Sequence, residues 1–337
     1  MALQILWYCL WGLLWAVYFM LDGFDFGAGM LRGFLSRTEE EKEASLAAIG
    51  PVWNGNEVWL ITAGGATFAA FPATYASMFS FLYLPMLLIL FSLIVRGVSI
   101  EFREKSNGAR WRKSWDRALT ISSLTAPLVL ALGFGNIFEG LRIQGGVYQG
   151  GFWPLFNPYG LLTAVLFIAL FLHHGSLWLE YRCSGPVSER AHALAPKLWW
   201  VLLAVAAVFL VVTAFATKLL ANYLVAPILF LVPIASVAAL VASRMLHARG
   251  KALGAFLASC GTVLLVVTTA LVGLFPNLLP SSVDTTSSLT AFNSSSSQYT
   301  LRLMAIVALV FVPIVVLYQT LVYRFFRSKV RAEEGGY

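Results

Sequence analysis

Apolar stretches long enough to cross a lipid bilayer recur along nearly the whole chain, and no other feature narrows the fold as far. Crossing the hydrocarbon layer takes about 20 mostly apolar residues in a helix, since each backbone N–H and C=O must find its partner within the segment. Nine such runs can be drawn, over residues 4–31, 53–71, 75–98, 115–138, 156–181, 197–219, 223–245, 253–275 and 301–326. Composition agrees, with 59% hydrophobic and 12% charged residues, the latter about half the share in soluble domains. The expected fold is an all-α integral membrane protein with nine transmembrane helices, one polytopic domain over 1–337.

Nine spans put the termini on opposite sides, so Lys and Arg choose between two orientations. The formal net charge is +7, but the distribution says more than the sum. All but three of the 23 basic residues fall in alternate connections or in the tail from Arg324 to Arg331; the exceptions are Arg142, Lys218 and Arg302. The N-terminus is therefore expected outside and the C-terminus in the cytoplasm. The first basic residue, Arg32, follows the first apolar run instead of preceding it, so no cleavable signal is expected.

No internal repeat stands out. The external connection 276–300 is rich in Ser and Thr, packs poorly by itself, and should lie over a partner or the helix ends. The inner link after the first span carries Glu39-Glu40-Glu41-Lys42-Glu43, which reads as a short solvated helix. Walker, zincin and serine-hydrolase motifs are absent from the sequence, and with them support for ATP hydrolysis, zinc proteolysis and acyl transfer. The three cysteines, Cys9, Cys183 and Cys260, have no C-x-x-C spacing and read as structural. Phe and Trp read mainly as lipid-facing surface and interfacial belts, with no position singled out for stacking a quinone. Outer-side Asn136, Glu139 and Lys218 read as snorkelling groups.

Histidines would hold haem in a redox membrane protein. His173 and His174 lie in the fifth run but point about 100° apart on a helix, while His192 and His247 fall in connections. A transmembrane pair of axial ligands cannot be assembled, so neither haem ligands nor a metal site is expected in this chain.

Ionisable residues within spans are functional candidates, because each costs several kcal/mol unless paired, hydrated or turned inward. The first run ends in Asp22-Gly23-Phe24-Asp25-Phe26-Gly27. Spacing of three puts both carboxylates on one face, and Gly23 with Gly27 admits a neighbouring helix. The second run opens on Trp53-Asn54-Gly55-Asn56-Glu57, and the third closes on Arg96. Given the alternating directions, Asp22, Asp25, Glu57 (roughly 9 Å in) and Arg96 share the cytoplasmic side and form one polar cluster. A proton route, a charge network steadying a cofactor, and interfacial capping with ion pairing all fit it.

Asp22-Gly23-Phe24-Asp25 with Gly27, Gly29 and Met30-Leu31, followed by Trp53, Gly55-Asn56 and Val58-Trp59-Leu60-Ile61-Thr62-Ala63-Gly64-Gly65, resemble the first two helices of subunit II of the cytochrome bd quinol oxidases. The likeness continues in family order through Gly133-Phe134-Gly135-Asn136, Asn157-Pro158-Tyr159-Gly160, Leu279-Pro280-Ser281-Ser282 and Ser297-Gln298, covering effectively the whole chain. The resemblance implies a multi-pass subunit in a bacterial cytoplasmic membrane, in a complex that oxidises quinol and reduces dioxygen to water. It further implies a heterodimer with a larger subunit I that holds two haem b and one haem d. Small single-helix subunits and a bound quinone are compatible with it; nucleic acid is not a partner.

By the same resemblance Asp22, Asp25 and Arg96 match residues of the polar network on the haem side. One position departs: some members carry Asp, as a proton-route residue, where this chain has Asn54, which cannot exchange a proton at physiological pH but can order water. Glu57, on the same helix face, stands where others have Gln. The proton path is thus expected among Asp22, Asp25, Asn54, Glu57 and Arg96, with the carrier moved to Glu57 or the route lying elsewhere. A proton-coupled transporter and a purely structural subunit are the alternatives from other classes; the missing repeat and one-sided charges disfavour the first.

Overall fold

A computed structural model describes residues 1–330; Arg331 of the basic tail and the rest of the C-terminus lie outside the described residues. Each apolar run is helical, as α1 (Ala2–Leu35), α3 (Trp53–Ala70), α4 (Pro72–Phe81), α5 (Tyr83–Phe102), α6 (Ala109–Glu139), α7 (Pro158–Arg182), α8 (Pro186–Ala216), α9 (Leu220–Val225), α10 (Leu231–Ala248), α11 (Ala252–Leu274) and α12 (Gln298–Phe325), with the short polar α2 (Glu39–Ala47) between the first two. Among the described residues eight helices are long and apolar enough to cross a membrane. The second run, α3, is not among them, because its first turn is Trp53-Asn54-Gly55-Asn56-Glu57.

Two runs read as continuous are interrupted. The third is split at Leu82, where Pro85 offers no N–H and its ring crowds the carbonyl four residues back. The seventh is broken by Pro227, which opens a 3₁₀ turn between α9 and α10. Elsewhere helices overrun the apolar limits: α8 begins at Pro186, well before residue 197, so its first three turns carry polar residues.

α1 is the hub, packed by α3, α6, α7 and α11, while α5–α6, α7–α8 and α10–α11 form antiparallel pairs. Gly27 and Gly175 let α1 and α7 cross with their backbones in contact; a Cβ on Gly27 would collide with the Phe171 carbonyl and one on Gly175 with the Gly27–Ala28 peptide. The close approach expected of Gly23 and Gly27 is thus made by α7. Beside the exposed aromatic residues, Trp15, Phe19, Phe134, Phe167 and Phe171 interlock edge to face and stacked in the interior. Their polar neighbours bond across helices, Trp11 Nε1 to Thr67 Oγ1 (2.9 Å) and Tyr8 Oη to the Leu271 carbonyl (2.7 Å), as a water-free interior requires.

At one end, segment 276–300 lies over the helix ends. It carries β3 (Asn277–Leu279) and β4 (Leu289–Thr290), opposite the hairpin of β1 (Ile143–Gln144) and β2 (Val147–Tyr148). Ser296 donates from N and Oγ to the Ala70 and Ala69 carbonyls (2.8 and 2.6 Å), which caps the last turn of α3. Asn136 does not snorkel. It is buried, donating to the Leu132 and Leu155 carbonyls (2.8 Å each) and accepting from Asn157 Nδ2 (2.9 Å).

The opposite end is tied by charge. Asp116 takes both Arg32 and Arg103, and Arg103 reaches Glu39 at 2.6 Å, which fastens α2 to α1, α5 and α6. The Thr38–Glu41 capping box starts α2. Hydrogen bonding from Lys42 holds the Glu39 carboxyl below its usual range. Burial alone would raise Glu41, but the Arg37 N–H and Arg190 together bring it down.

Candidate functional site

Three helices bring the buried charges together. Asp22 and Asp25 are one turn apart on α1 and fully buried, and Arg96 of α5, 1% exposed, meets Asp22 as a fork: Nη1 to Oδ1 at 2.7 Å and Nη2 to Oδ2 at 3.0 Å. The guanidinium lies over the Phe26 ring, 4.2 Å from its centroid. A planar cation is the right partner here, since it hydrogen-bonds one carboxylate oxygen, stands in ion-pair contact with the other and covers an aromatic face at once. Local packing fixes it, for Gly97 leaves room for the Trp53 ring, which a Cβ would meet at 2.9 Å.

Glu57 of α3 stands at the edge of this pair, Oε1 3.7 Å from Arg96 Nη2, with its side chain 18% exposed. It is the one carboxylate of the cluster that opens to the chain's surface. Asp25 makes no ion pair among the described residues; its Oδ2 accepts from Asn56 Nδ2 at 2.8 Å. Of the five residues singled out in sequence, Asp22, Arg96 and Glu57 are in contact and Asp25 lies beside them. Asn54 is exposed and outside the buried network. Interfacial capping does not describe the two aspartates: α1 continues 13 residues beyond Asp22, roughly 20 Å, and both carboxyls are sealed by protein.

Asn56 is the residue that sequence reasoning missed. Fully buried, it joins α1, α3 and α12: its amide also donates to the Leu21 carbonyl (3.2 Å), and its Oδ1 accepts from Tyr323 Oη (2.8 Å) and Gln319 Nε2 (3.3 Å). Gln319 in turn accepts from Trp59 Nε1 at 2.8 Å. The available signal was spacing, for Asn56 and Trp59 lie three apart on α3 and Gln319 and Tyr323 four apart on α12, single faces that only a facing helix explains.

His173 and His174 part company as helical geometry requires. His174 bonds Ser259 Oγ (2.7 Å) and the Met20 carbonyl (2.9 Å) and stacks on Phe256, while His173 faces Ser243 Oγ at 3.4 Å. Both are buried. His192 and His247 are not in connections: the first sits on the polar start of α8 and the second in the last turn of α10, inside a candidate span.

Comparison with known proteins decides the family. The family model described as cytochrome bd terminal oxidase subunit II matches residues 3–326. The chain belongs to that family. Cytochrome bd-I ubiquinol oxidase subunit 2 of Escherichia coli K12 is 36% identical over 352 residues, 94% of this chain and 92% of that protein. Cytochrome bd ubiquinol oxidase subunit 2 of Bacillus subtilis 168 is 34% identical over 336 residues, 99% and 98% of the two chains. A chain in the structure of the bd oxidase from Geobacillus thermodenitrificans superposes with a TM-score of 0.81 at 18% identity, over 97% of this chain and 99% of that one, a likeness in fold. This bd oxidase subunit II is therefore an integral membrane protein, one subunit of a haem-bearing respiratory quinol:dioxygen oxidoreductase that works with a partner catalytic subunit.

Proposed function

We propose that this subunit scaffolds the haem-bearing subunit I and supplies part of the cytoplasmic proton path by which dioxygen is reduced to water, with Glu57 as the entry group. The observation that carries this is the placement of one carboxyl, open to the chain's surface, in contact with the buried Arg96–Asp22 pair. Asp22 and Asp25 extend the polar route inward, and Asn54, exposed one turn before Glu57, orders water at its mouth. Grotthuss-type transfer needs such closely spaced polar groups where lipid offers none.

In this reading α3 is the ninth span, its polar first turn turned toward α1 and α12, and residues 1–337 form one transmembrane domain of a bacterial cytoplasmic membrane. The N-terminus lies outside and the C-terminus in the cytoplasm. Clustering of Arg32, Arg103, Arg112 and Arg190 with α2 at one end, and the Ser/Thr-rich segment at the other, supports that sidedness. Two haem b and one haem d belong to subunit I in the heterodimer, and they supply electron transfer and oxygen chemistry. Internal hydrogen bonding of both His174 nitrogens supports ligand-free packing of that residue. Quinol is the electron donor, and small single-helix subunits complete the assembly.

The test is Glu57→Gln in the purified two-subunit enzyme. Turnover should fall by roughly tenfold or more, the scale of a lost proton donor, with the haem spectrum intact. Adding Asn54→Asp should recover part of the loss by returning a carboxyl to the same face. Unchanged turnover in Glu57→Gln removes it from the path.

A further inference from the structure

Away from the buried charge pair, three side chains far apart in sequence converge where α7, α8 and α10 end together. Glu180 lies in the last turn of α7, His192 near the start of α8 and His247 in the last turn of α10. One ligand atom from each falls within 4.8 Å of the others. His192 Nδ1 is 2.8 Å from Glu180 Oε1, and His247 Nε2 is 3.2 Å from Glu180 Oε2. The two imidazoles lie nearly parallel, with centroids 4.3 Å apart.

Hydrogen bonding does not account for the whole group. His247 is 4% exposed, yet neither ring nitrogen has an aligned hydrogen-bond partner among the described residues, and Glu180 Oε2 has none either. Buried polar atoms without partners are destabilising, so a group left this way calls for one. Here an imidazole nitrogen and a carboxylate oxygen, both so placed, face each other off the line of an N–H···O bond. His174 shows what a satisfied histidine looks like in the same protein, with one ring nitrogen on the Ser259 hydroxyl and the other on the Met20 carbonyl.

We propose that Glu180, His192 and His247 bind a divalent first-row transition ion of the zinc class, which clamps the α7–α8 pair to α10 at the end of the bundle. Two imidazoles and one carboxylate are a common ligand set for zinc, with water in the fourth position. Zinc–nitrogen and zinc–oxygen bonds of about 2.0–2.2 Å give tetrahedral ligand separations of roughly 3.4 Å. The His247–Glu180 separation already lies close to that value. These two contacts use different oxygens of Glu180, so the carboxylate must turn one oxygen toward both imidazoles; the His192–Glu180 separation must open by about 0.6 Å, and His192 is the side chain free to do so, since it is 53% exposed. That exposure also leaves the fourth position to solvent. Imidazole donors and the basic α10–α11 turn, with Arg244, Arg249 and Lys251, favour such an ion over magnesium or calcium, which bind through oxygen and negative charge.

The experiment uses the intact two-subunit enzyme in mild detergent, stripped with a chelator and titrated with zinc. Readouts are calorimetry, elemental analysis after desalting, and the thermal unfolding midpoint. The parent should retain about one zinc more than His192→Ala, and the affinity at this site should fall by roughly a hundredfold or more, since even second-shell losses cost ten- to a hundredfold. Zinc should raise the midpoint of the parent and not of His192→Ala, while His192→Cys, which keeps a ligand, should restore binding. His192 lies on the surface, so its variants test the site without emptying the core. Equal zinc content and affinity in parent and His192→Ala, or no uptake by the parent, overturns the proposal and leaves the group as a hydrogen-bonded clamp.

Discussion

Replacing Arg96 by Gln should be the most damaging single change in the polar cluster, and the geometry sets its size. The substitution removes the fork at 2.7 and 3.0 Å and leaves Asp22 fully buried with no cation, with Glu57 deprived of its contact as well. Breaking a buried pair from one side costs about 3–5 kcal/mol. Asp22→Asn should cost about 1–2 kcal/mol less, because Arg96 keeps Glu57 at 3.7 Å and the Phe26 face at 4.2 Å, a cation–π contact worth about 2 kcal/mol when desolvated. Arg96→Lys should recover little, since an ammonium cannot fork. The double variant Asp22→Asn/Arg96→Gln leaves no uncompensated charge between these two positions, so its cost should fall short of the sum by roughly 1–3 kcal/mol. Equilibrium unfolding of the two-subunit enzyme in mixed micelles gives the energies, and the reduced-minus-oxidised spectrum gives haem retention, which should fall in Arg96→Gln. An Arg96→Gln enzyme destabilised by less than about 1 kcal/mol with full haem content, or strict additivity in the double variant, refutes the argument.

Gly27→Ala drives a methyl into the Phe171 carbonyl and should cost at least about 1–3 kcal/mol, read as lost assembly yield; Gly33→Ala, with nothing within 4 Å, should be neutral or stabilising. Asn136→Leu strands the Leu155 carbonyl and Asn157 and should lower stability by about 1–3 kcal/mol, seen as a lower thermal midpoint with unchanged helix content. Glu39 and Glu41 are held below their ordinary value of 4.5. The stability they contribute is therefore full above pH 4.5 and lost as pH falls beneath it. The midpoint should drop on that acid side, and less steeply in a Glu39→Gln/Glu41→Gln enzyme; equal slopes would remove both from the acid response.

What could be read from the sequence divides along a physical line. Hydrophobic length marked the segments that turn out helical, because the bilayer imposes one rule on each segment separately. The same rule failed wherever a helix outruns its apolar stretch. α8 continues through Pro186-Val187-Ser188-Glu189 before any run begins, and α10 carries His247 to its end, so two histidines assigned to connections are helical and meet Glu180. Leu82 and Ala226 break spans that look continuous, since a nearby proline weakens a helix without lowering its hydropathy.

The polar cluster shows the other side of that line. Depth arithmetic could bring Asp22, Glu57 and Arg96 to one level because successive runs alternate in direction, but it carries no azimuth. Which of Asn54 and Asn56 turns inward depends on how α3 rotates against α1, and α12 settles it: Gln319 and Tyr323 hold Asn56 against Asp25 and leave Asn54 outside. Asn54 and Glu57 share a face three residues apart, so the rotation that buries Asn56 also brings Glu57 to the edge of the Arg96 pair with part of its carboxyl open. The partial exposure of Glu57, on which its proposed role depends, thus goes with a contact from a helix more than 250 residues away in sequence. Tyr323→Phe together with Gln319→Leu should accordingly loosen Asn56 and change the proton-linked turnover of the enzyme without touching any carboxylate. Turnover equal to the parent at every pH would show that α3 holds its rotation without α12.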